Sequence, residues 1–128
     1  MIRILLAEDD DAMRSYLARA LENAGYDVAA VDRGTAALPL LQAEDFDLLL
    51  SDIVMPDMDG FQVLKALRAN PTTAKLPVIL VTGHADEHII AKVRAPETRA
   101  DGIIAKPLSL ATLEQKVVSV LTAHGLSR

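Results

Sequence analysis

Phe46-Asp47-Leu48-Leu49-Leu50-Ser51-Asp52-Ile53-Val54-Met55-Pro56-Asp57-Met58-Asp59-Gly60 is the stretch that decides the fold. Its first half is an apolar run and its second half is rich in turn formers, the pattern of a buried strand delivered into a loop. Asp52 closes the strand. In open α/β sheets, the carboxyl ends of the strands face the crevice where ligands bind. A second apolar run, Ile2-Arg3-Ile4-Leu5-Leu6-Ala7, ends in the acidic cluster Glu8-Asp9-Asp10. If the two strands are parallel neighbours, their carboxylates meet at one place, which is unfavourable unless a cation sits among them. A metal beside a strand-end aspartate points to phosphoryl chemistry.

The chain has 128 residues, 51% of them apolar, which suits one domain with a full core and argues against disorder. No apolar run approaches the ~18–20 residues of a membrane span, and no basic-then-apolar leader opens the sequence. Cysteine is absent, which removes disulfides, thiolate metal sites and cysteine nucleophiles together. These features predict a cytoplasmic protein without membrane partners. The formal net charge is −5 and the 13 basic residues form no block, so direct binding to nucleic acid is disfavoured. Met1 and the short tail His124-Gly125-Leu126-Ser127-Arg128 lead us to expect one complete domain over residues 1–128, with no separate output domain.

Strand and helix patterns alternate five times, the signature of a parallel sheet with crossover helices. The strands are predicted near 2–7, 26–31, 46–52, 77–82 and 102–105. The first helix places Met13, Leu17, Leu21 and Ala24 on one side and ends at Gly25. The second is expected to start near Thr35 as its N-cap, carrying Leu38 and Leu41 inward, with Pro39 making that start ragged. Asp59-Gly60 opens the third helix and Asn70-Pro71 stops it. Asp86 caps a short fourth helix that ends by Pro96, and Ser109 caps the fifth. Right-handed crossovers put helices one and five on one face and two, three and four on the other. The result is a flavodoxin-like, doubly wound five-stranded sheet of order 2-1-3-4-5.

Four strand ends then converge. They supply Glu8 and Asp9, Asp52, Thr82, and Lys106 before Pro107. Mg²⁺ prefers oxygen ligands at ~2.0–2.1 Å, commonly one or two carboxylates with waters and a phosphoryl oxygen. Asp9 and Asp52 can supply carboxylates, the backbone carbonyl of Val54 a further ligand, and Glu8 can hold a bound water. A carboxylate can also attack phosphorus to form an aspartyl-phosphate. Lys106 then offers positive charge, and the Thr82 hydroxyl can bond a phosphoryl oxygen.

These residues resemble the receiver domain of two-component response regulators, the CheY-like family. The resemblance runs from Ile4-Leu5-Leu6-Ala7-Glu8-Asp9-Asp10 through Ser51–Gly60 and Val81-Thr82-Gly83 to Ala105-Lys106-Pro107, essentially the whole chain. It implies a phosphorylation-dependent signalling switch. Asp52 would accept the phosphoryl group from a histidine kinase or phosphotransfer protein, and Glu8 with Asp9 would form the acid pocket for Mg²⁺. Thr82 would be the switch hydroxyl and Lys106 the phosphate-contacting base, followed by a cis Lys106–Pro107 peptide. The protein would be a phosphoacceptor regulator rather than an enzyme acting on other substrates. It would signal to a downstream protein target through helix four, strand five and helix five. Residues 4–60 resemble the CpdR-type single-domain regulators, which act by binding a protease complex.

The chain departs from the family pattern at Ile103, where receivers usually place an aromatic ring, and in Arg94-Ala95-Pro96-Glu97-Thr98-Arg99-Ala100, which replaces a short link. Ile103 is β-branched and stiff at χ1, which puts the usual coupled ring rotation in doubt. A constitutive protein-binding adaptor with a degenerate switch is therefore the alternative reading. A phosphohydrolase of the haloacid dehalogenase type would want an aspartate at Val54, and a nucleotide site would want a glycine-rich loop. Asp10 or Asp11 suits a helix cap, Asp57 and Asp59 suit turn and cap positions, and His84 suits an exposed loop near the pocket mouth. His88 and His124 read as exposed, with no zinc site.

Overall fold

The computed structural model describes residues 1–126. Five parallel strands form one sheet in the order β2-β1-β3-β4-β5. They are β1 (Arg3–Ala7), β2 (Asp27–Val31), β3 (Leu48–Asp52), β4 (Val78–Thr82) and β5 (Gly102–Ala105), alternating with α1 (Asp11–Asn23), α2 (Gly34–Ala43), α3 (Gly60–Ala69), α4 (Glu87–Arg94) and α5 (Leu110–Ala123). The central strands β1, β3 and β4 are mainly apolar, with their polar residues toward the ends, because helices cover both faces of a doubly wound sheet. Ile4, Leu6, Leu48 and Leu50 pack with Leu17, Leu21, Leu113 and Val117 of α1 and α5. On the opposite face Leu5, Leu49 and Leu80 pack with Ala37 and Leu41 of α2 and with Val63, Leu64 and Leu67 of α3, while Ile89 and Val93 of α4 join from the edge. Among the described residues, no helix is long and apolar enough to cross a membrane.

Most helix starts follow the expected caps. Asp10 accepts from the Met13 N–H at 2.9 Å, Asp86 from Ile89 at 3.0 Å and Ser109 from Thr112 at 3.1 Å. Asp59 and Gln62 form a reciprocal capping box at the start of α3. The second helix differs from expectation. It begins at Gly34 with Arg33 as N-cap and no side-chain cap, so Thr35 lies inside the helix. The Thr35 hydroxyl donates instead to Asp57, in the loop after β3. Pro39 sits within a continuous helix rather than fraying its start. Pro39 is exposed, so its ring meets solvent rather than the core.

The atypical segment after α4 forms a short 3₁₀ turn at Pro96–Thr98. It is tied to α3 through Arg68, whose guanidinium donates to the carbonyls of Arg99 (2.9 Å), Ala74 (3.1 Å) and Leu76 (2.8 Å). The same group pairs with Asp101 at 3.3 Å, and the Arg68 side chain is only 4% exposed. Asp101 also accepts from the Val78 N–H, and its other oxygen meets Arg99 and His124. His124 thus caps α5 and is engaged, not merely exposed as expected. Removing one partner of a buried, hydrogen-bonded ion pair leaves the other uncompensated. Arg68→Met is expected to lower unfolding stability by about 3 kcal/mol, read as a lower urea midpoint at unchanged slope. A shift below about 0.5 kcal/mol would mean the cluster contributes no more than surface pairs do.

Candidate acidic site at the sheet switch point

The order β2-β1-β3 places the reversal of winding between β1 and β3, the position at which open α/β sheets bind their ligands. Leu5 pairs with Leu49 and Ala7 with Ser51, so Glu8 and Asp52 emerge side by side. Glu8, Asp9 and Asp52 each offer a carboxylate oxygen, and these oxygens lie within 4.8 Å of one another. Glu8 and Asp52 are buried and Asp9 is exposed at the mouth. Three hard oxygen donors at this spacing fit a small divalent cation such as Mg²⁺. The loop beyond Asp52 turns back tightly, with the Gly60 N–H donating to the Ile53 carbonyl at 2.7 Å. A Cβ on Gly60 would fall 2.7 Å from the Asp52 carbonyl oxygen, so only glycine allows that approach.

The counter-charge comes from β5. Lys106 Nζ lies 2.9 Å from Asp52 Oδ2 and 3.4 Å from Glu8 Oε1. Partial burial pulls the Lys106 ammonium down, but the hydrogen bond to Asp52 and the charges of Asp52 and Glu8 outweigh it. The net shift is upward. Glu8 is pushed up to about 7, first by burial and then by the adjacent Asp52, against the pull of the Asp10 N–H and Lys106. The peptide between Lys106 and Pro107 is cis, as the resemblance implied.

Thr82 ends β4 and is buried. Its hydroxyl donates to the His84 carbonyl at 3.2 Å and accepts from the His84 N–H at 3.0 Å. It is therefore occupied by its own loop, at the end of the strand next to Asp52. Gly83 is exposed, and a Cβ there would meet open space. The His84 ring is exposed and stands 3.4 Å from the Asp86 carboxylate, in keeping with a loop position. Val54 lies two residues past Asp52 with its side chain 73% exposed. Ile103 pairs with Leu80 and is half-buried on the edge strand.

Two features escaped the reading of the sequence. Arg14 reaches from α1 to the Glu8 carbonyl at 3.0 Å while pairing with Asp11 at 2.6 Å. The Asp11–Arg14 spacing is a helical ion-pair signal, but nothing in it announces the longer reach. The second is the contact between Gly34 and the loop after β3, where a Cβ would fall 2.5 Å from the Met58 carbonyl oxygen.

A doubly wound α/β protein with an acidic, lysine-balanced crevice at its switch point is the class defined by this geometry. Residues 4–118 match the response regulator receiver domain. The chain belongs to that family. It is 43% identical over 123 residues to the response regulator receiver protein CpdR of Brucella abortus, covering 96% of this chain and 99% of the relative. It is 33% identical to the chemotaxis protein CheY of Pseudomonas aeruginosa, covering 93% and 95%. Among solved structures, chemotaxis protein CheY4 of Vibrio cholerae matches with TM-score 0.88 at 30% identity, covering 94% and 99%. A CheY-like receiver domain protein of Methanospirillum hungatei matches at 0.89 and 29%, covering 98% and 97%. The CpdR-type resemblance thus extends over nearly the whole chain, beyond the first half in which it was visible.

The Glu8 shift has a signed consequence. Its folded carboxyl titrates at about 7, against 4.5 ordinarily, so the fold prefers it neutral. That contribution is complete below about pH 4.5 and disappears as pH rises through about 7. In metal-free buffer, wild type should lose stability relative to Glu8→Gln across this window, at up to roughly 1.4 kcal/mol per pH unit. Parallel stability curves from pH-dependent melts would contradict the shift.

Proposed function

We propose that this chain is a phosphorylation-controlled binding switch in which Asp52 is the phosphoacceptor. The observation that carries the reading is the gathering of Glu8, Asp9 and Asp52 within 4.8 Å, with Lys106 Nζ 2.9 Å from Asp52. The donor is a phosphohistidine of a kinase or phosphotransfer protein. An Asp52 carboxylate oxygen attacks phosphorus, the phosphorus–nitrogen bond breaks, and the imidazole leaves with the bonding pair. Asp9, Asp52 and the Val54 carbonyl would hold Mg²⁺, with Glu8 orienting a bound water. The ion would supply charge neutralisation at the phosphoryl oxygens.

The chain's own groups do the rest. Lys106 exchanges its contact with Asp52 for one with a phosphoryl oxygen, keeping the new charge compensated. The Thr82 hydroxyl leaves the His84 backbone for another phosphoryl oxygen. The two hydrogen bonds it gives up are worth about 1 kcal/mol each net, about 2 together, and a charge-assisted bond to phosphate of about 1.5–3 kcal/mol is of comparable size, so the exchange is closely balanced. Phosphorylation then biases a two-state equilibrium of the loop leading into α4. Output is a protein contact through α4, β5 and α5. The likeness to the response regulator receiver protein CpdR of Brucella abortus supports the reading of a signalling regulator. Val54, standing two residues after Asp52, cannot transfer a proton, which argues against a phosphohydrolase of external substrates.

Incubation with acetyl phosphate and Mg²⁺ should add one phosphoryl mass to the wild type and none to Asp52→Asn. Equal modification of both proteins, or of neither, would remove the proposal. Mg²⁺ at 100 times its Kd should stabilise the fold by about 2.7 kcal/mol. That affinity should fall as pH drops below about 7, because Glu8 must lose its proton to serve the site. A melting temperature unmoved by millimolar Mg²⁺ would count against the metal. A partner bound equally well with and without phosphate would instead favour the constitutive adaptor that Ile103 motivates.

A further inference from the structure

The acidic loop between β1 and α1 presents four carboxylates in a row, Glu8 to Asp11, yet only Asp9 stands exposed at the pocket mouth as a candidate ligand. An exposed aspartate in a loop of like charges would swing outward unless its backbone were held. Here the peptide groups on both sides of Asp9 are pinned. The Glu8 carbonyl, which belongs to the Glu8–Asp9 peptide, accepts from Arg14 Nη1 at 3.0 Å. The Asp10 N–H, which belongs to the Asp9–Asp10 peptide, donates to Glu8 Oε2 at 3.2 Å. The Asp10 carbonyl accepts from the Arg14 N–H at 2.8 Å, and the Asp10 carboxylate caps the helix. The Arg14 guanidinium is itself oriented by Asp11 at 2.6 Å and is 23% exposed. One residue thus holds the loop at the carbonyl immediately before Asp9.

We infer that Arg14 is a positioning residue for cation binding: by fixing the Glu8–Asp9 peptide it presents the Asp9 carboxylate beside Glu8 and Asp52. The inference rests on the metal reading above and adds to it a residue that touches neither the ion nor the phosphoryl group. The expected effect on affinity opposes the sign of simple Coulomb attraction. Removing a positive charge near a cation site should tighten binding if Coulomb attraction alone mattered. Losing the support of a ligand loosens it, by 10–100-fold where such supports have been removed.

The test is titration with Mn²⁺, a hard ion taken by carboxylate sites, followed by the electron paramagnetic resonance signal of the free ion. Arg14→Met keeps helix propensity and should raise Kd about tenfold. Arg19→Met removes the same charge from an exposed position on α1 and should leave Kd unchanged or slightly lower. Arg14→Lys, which keeps the charge and can still donate, should recover part of the loss. Without metal, in EDTA, the amides of Asp9 and Asp10 should exchange faster in Arg14→Met than in wild type. Arg14→Met binding Mn²⁺ as tightly as wild type, or more tightly, would overturn the inference while leaving the metal reading intact. Wild type failing to bind Mn²⁺ would overturn both. Should Arg14→Met not fold, Arg14→Gln, too short to span to the Glu8 carbonyl, gives the same two outcomes.

Discussion

The ion contact between Lys106 and the two buried carboxylates Asp52 and Glu8 is the interaction on which this molecule turns. A parallel sheet with central strands buried on both faces has no polar group to spare inside, and it exports its chemistry to the strand ends. There it gathers acids whose mutual repulsion the fold must tolerate. The ammonium at 2.9 Å offsets part of that repulsion, and Glu8 relieves more by holding its proton up to about pH 7. The arrangement is strained by charge rather than by backbone. Among the described residues, no non-glycine residue has positive φ, and no side-chain polar atom is buried without a partner. Stress of that kind is what an added divalent ion can release.

Holding the acids in place falls to backbone approaches closer than side chains allow. The loop from Ile53 to Asp59 is pressed against α2 at Gly34 and folded onto Asp52 at Gly60. The Thr35–Asp57 hydrogen bond fastens the same loop from outside. At the far end of the sheet the Arg68–Asp101 cluster ties α3, the 3₁₀ turn, β4 and α5 together. The loop that follows Asp52 is thus braced on the α2–α3 side.

Much of this was legible in the amino-acid order. Strand ends, sheet order, both helix layers and the caps Asp10, Asp59, Asp86 and Ser109 follow from periodicity and from local side-chain chemistry. The convergence of Glu8, Asp9, Asp52 and Lys106 follows from topology once the strands are assigned. What was hidden depends on distance in space rather than on spacing along the chain. Thr35 has the chemistry of a cap, but its hydroxyl finds Asp57 twenty-two residues away. Pro39 looked disruptive because its solvent exposure cannot be read from neighbours. Arg68 and Asp101 each look like surface charges until a buried corner of the fold brings them together. The Thr82 hydroxyl shows in sequence as a strand-end group, and only coordinates reveal that His84 already engages it.

The helix nearest that threonine, α4, is anchored unlike the others. None of its eight residues is fully buried; Ile89 and Val93 touch the edge of the core, the Asp86 cap holds one end, and the Ala100 N–H on the Val93 carbonyl with the Thr98 hydroxyl on the Lys92 carbonyl holds the other. A segment with little interior contact is cheaper to open than the buried core. Any protein that grips α4 would then carry the ordering cost of that segment in its own affinity, and so would a phosphoryl group that reorders the loop before it. Two ligands sharing one such cost are thermodynamically linked, and linkage works in both directions. A bound target would accordingly alter how readily the acidic crevice is charged, by the same factor that charging alters the grip of the target.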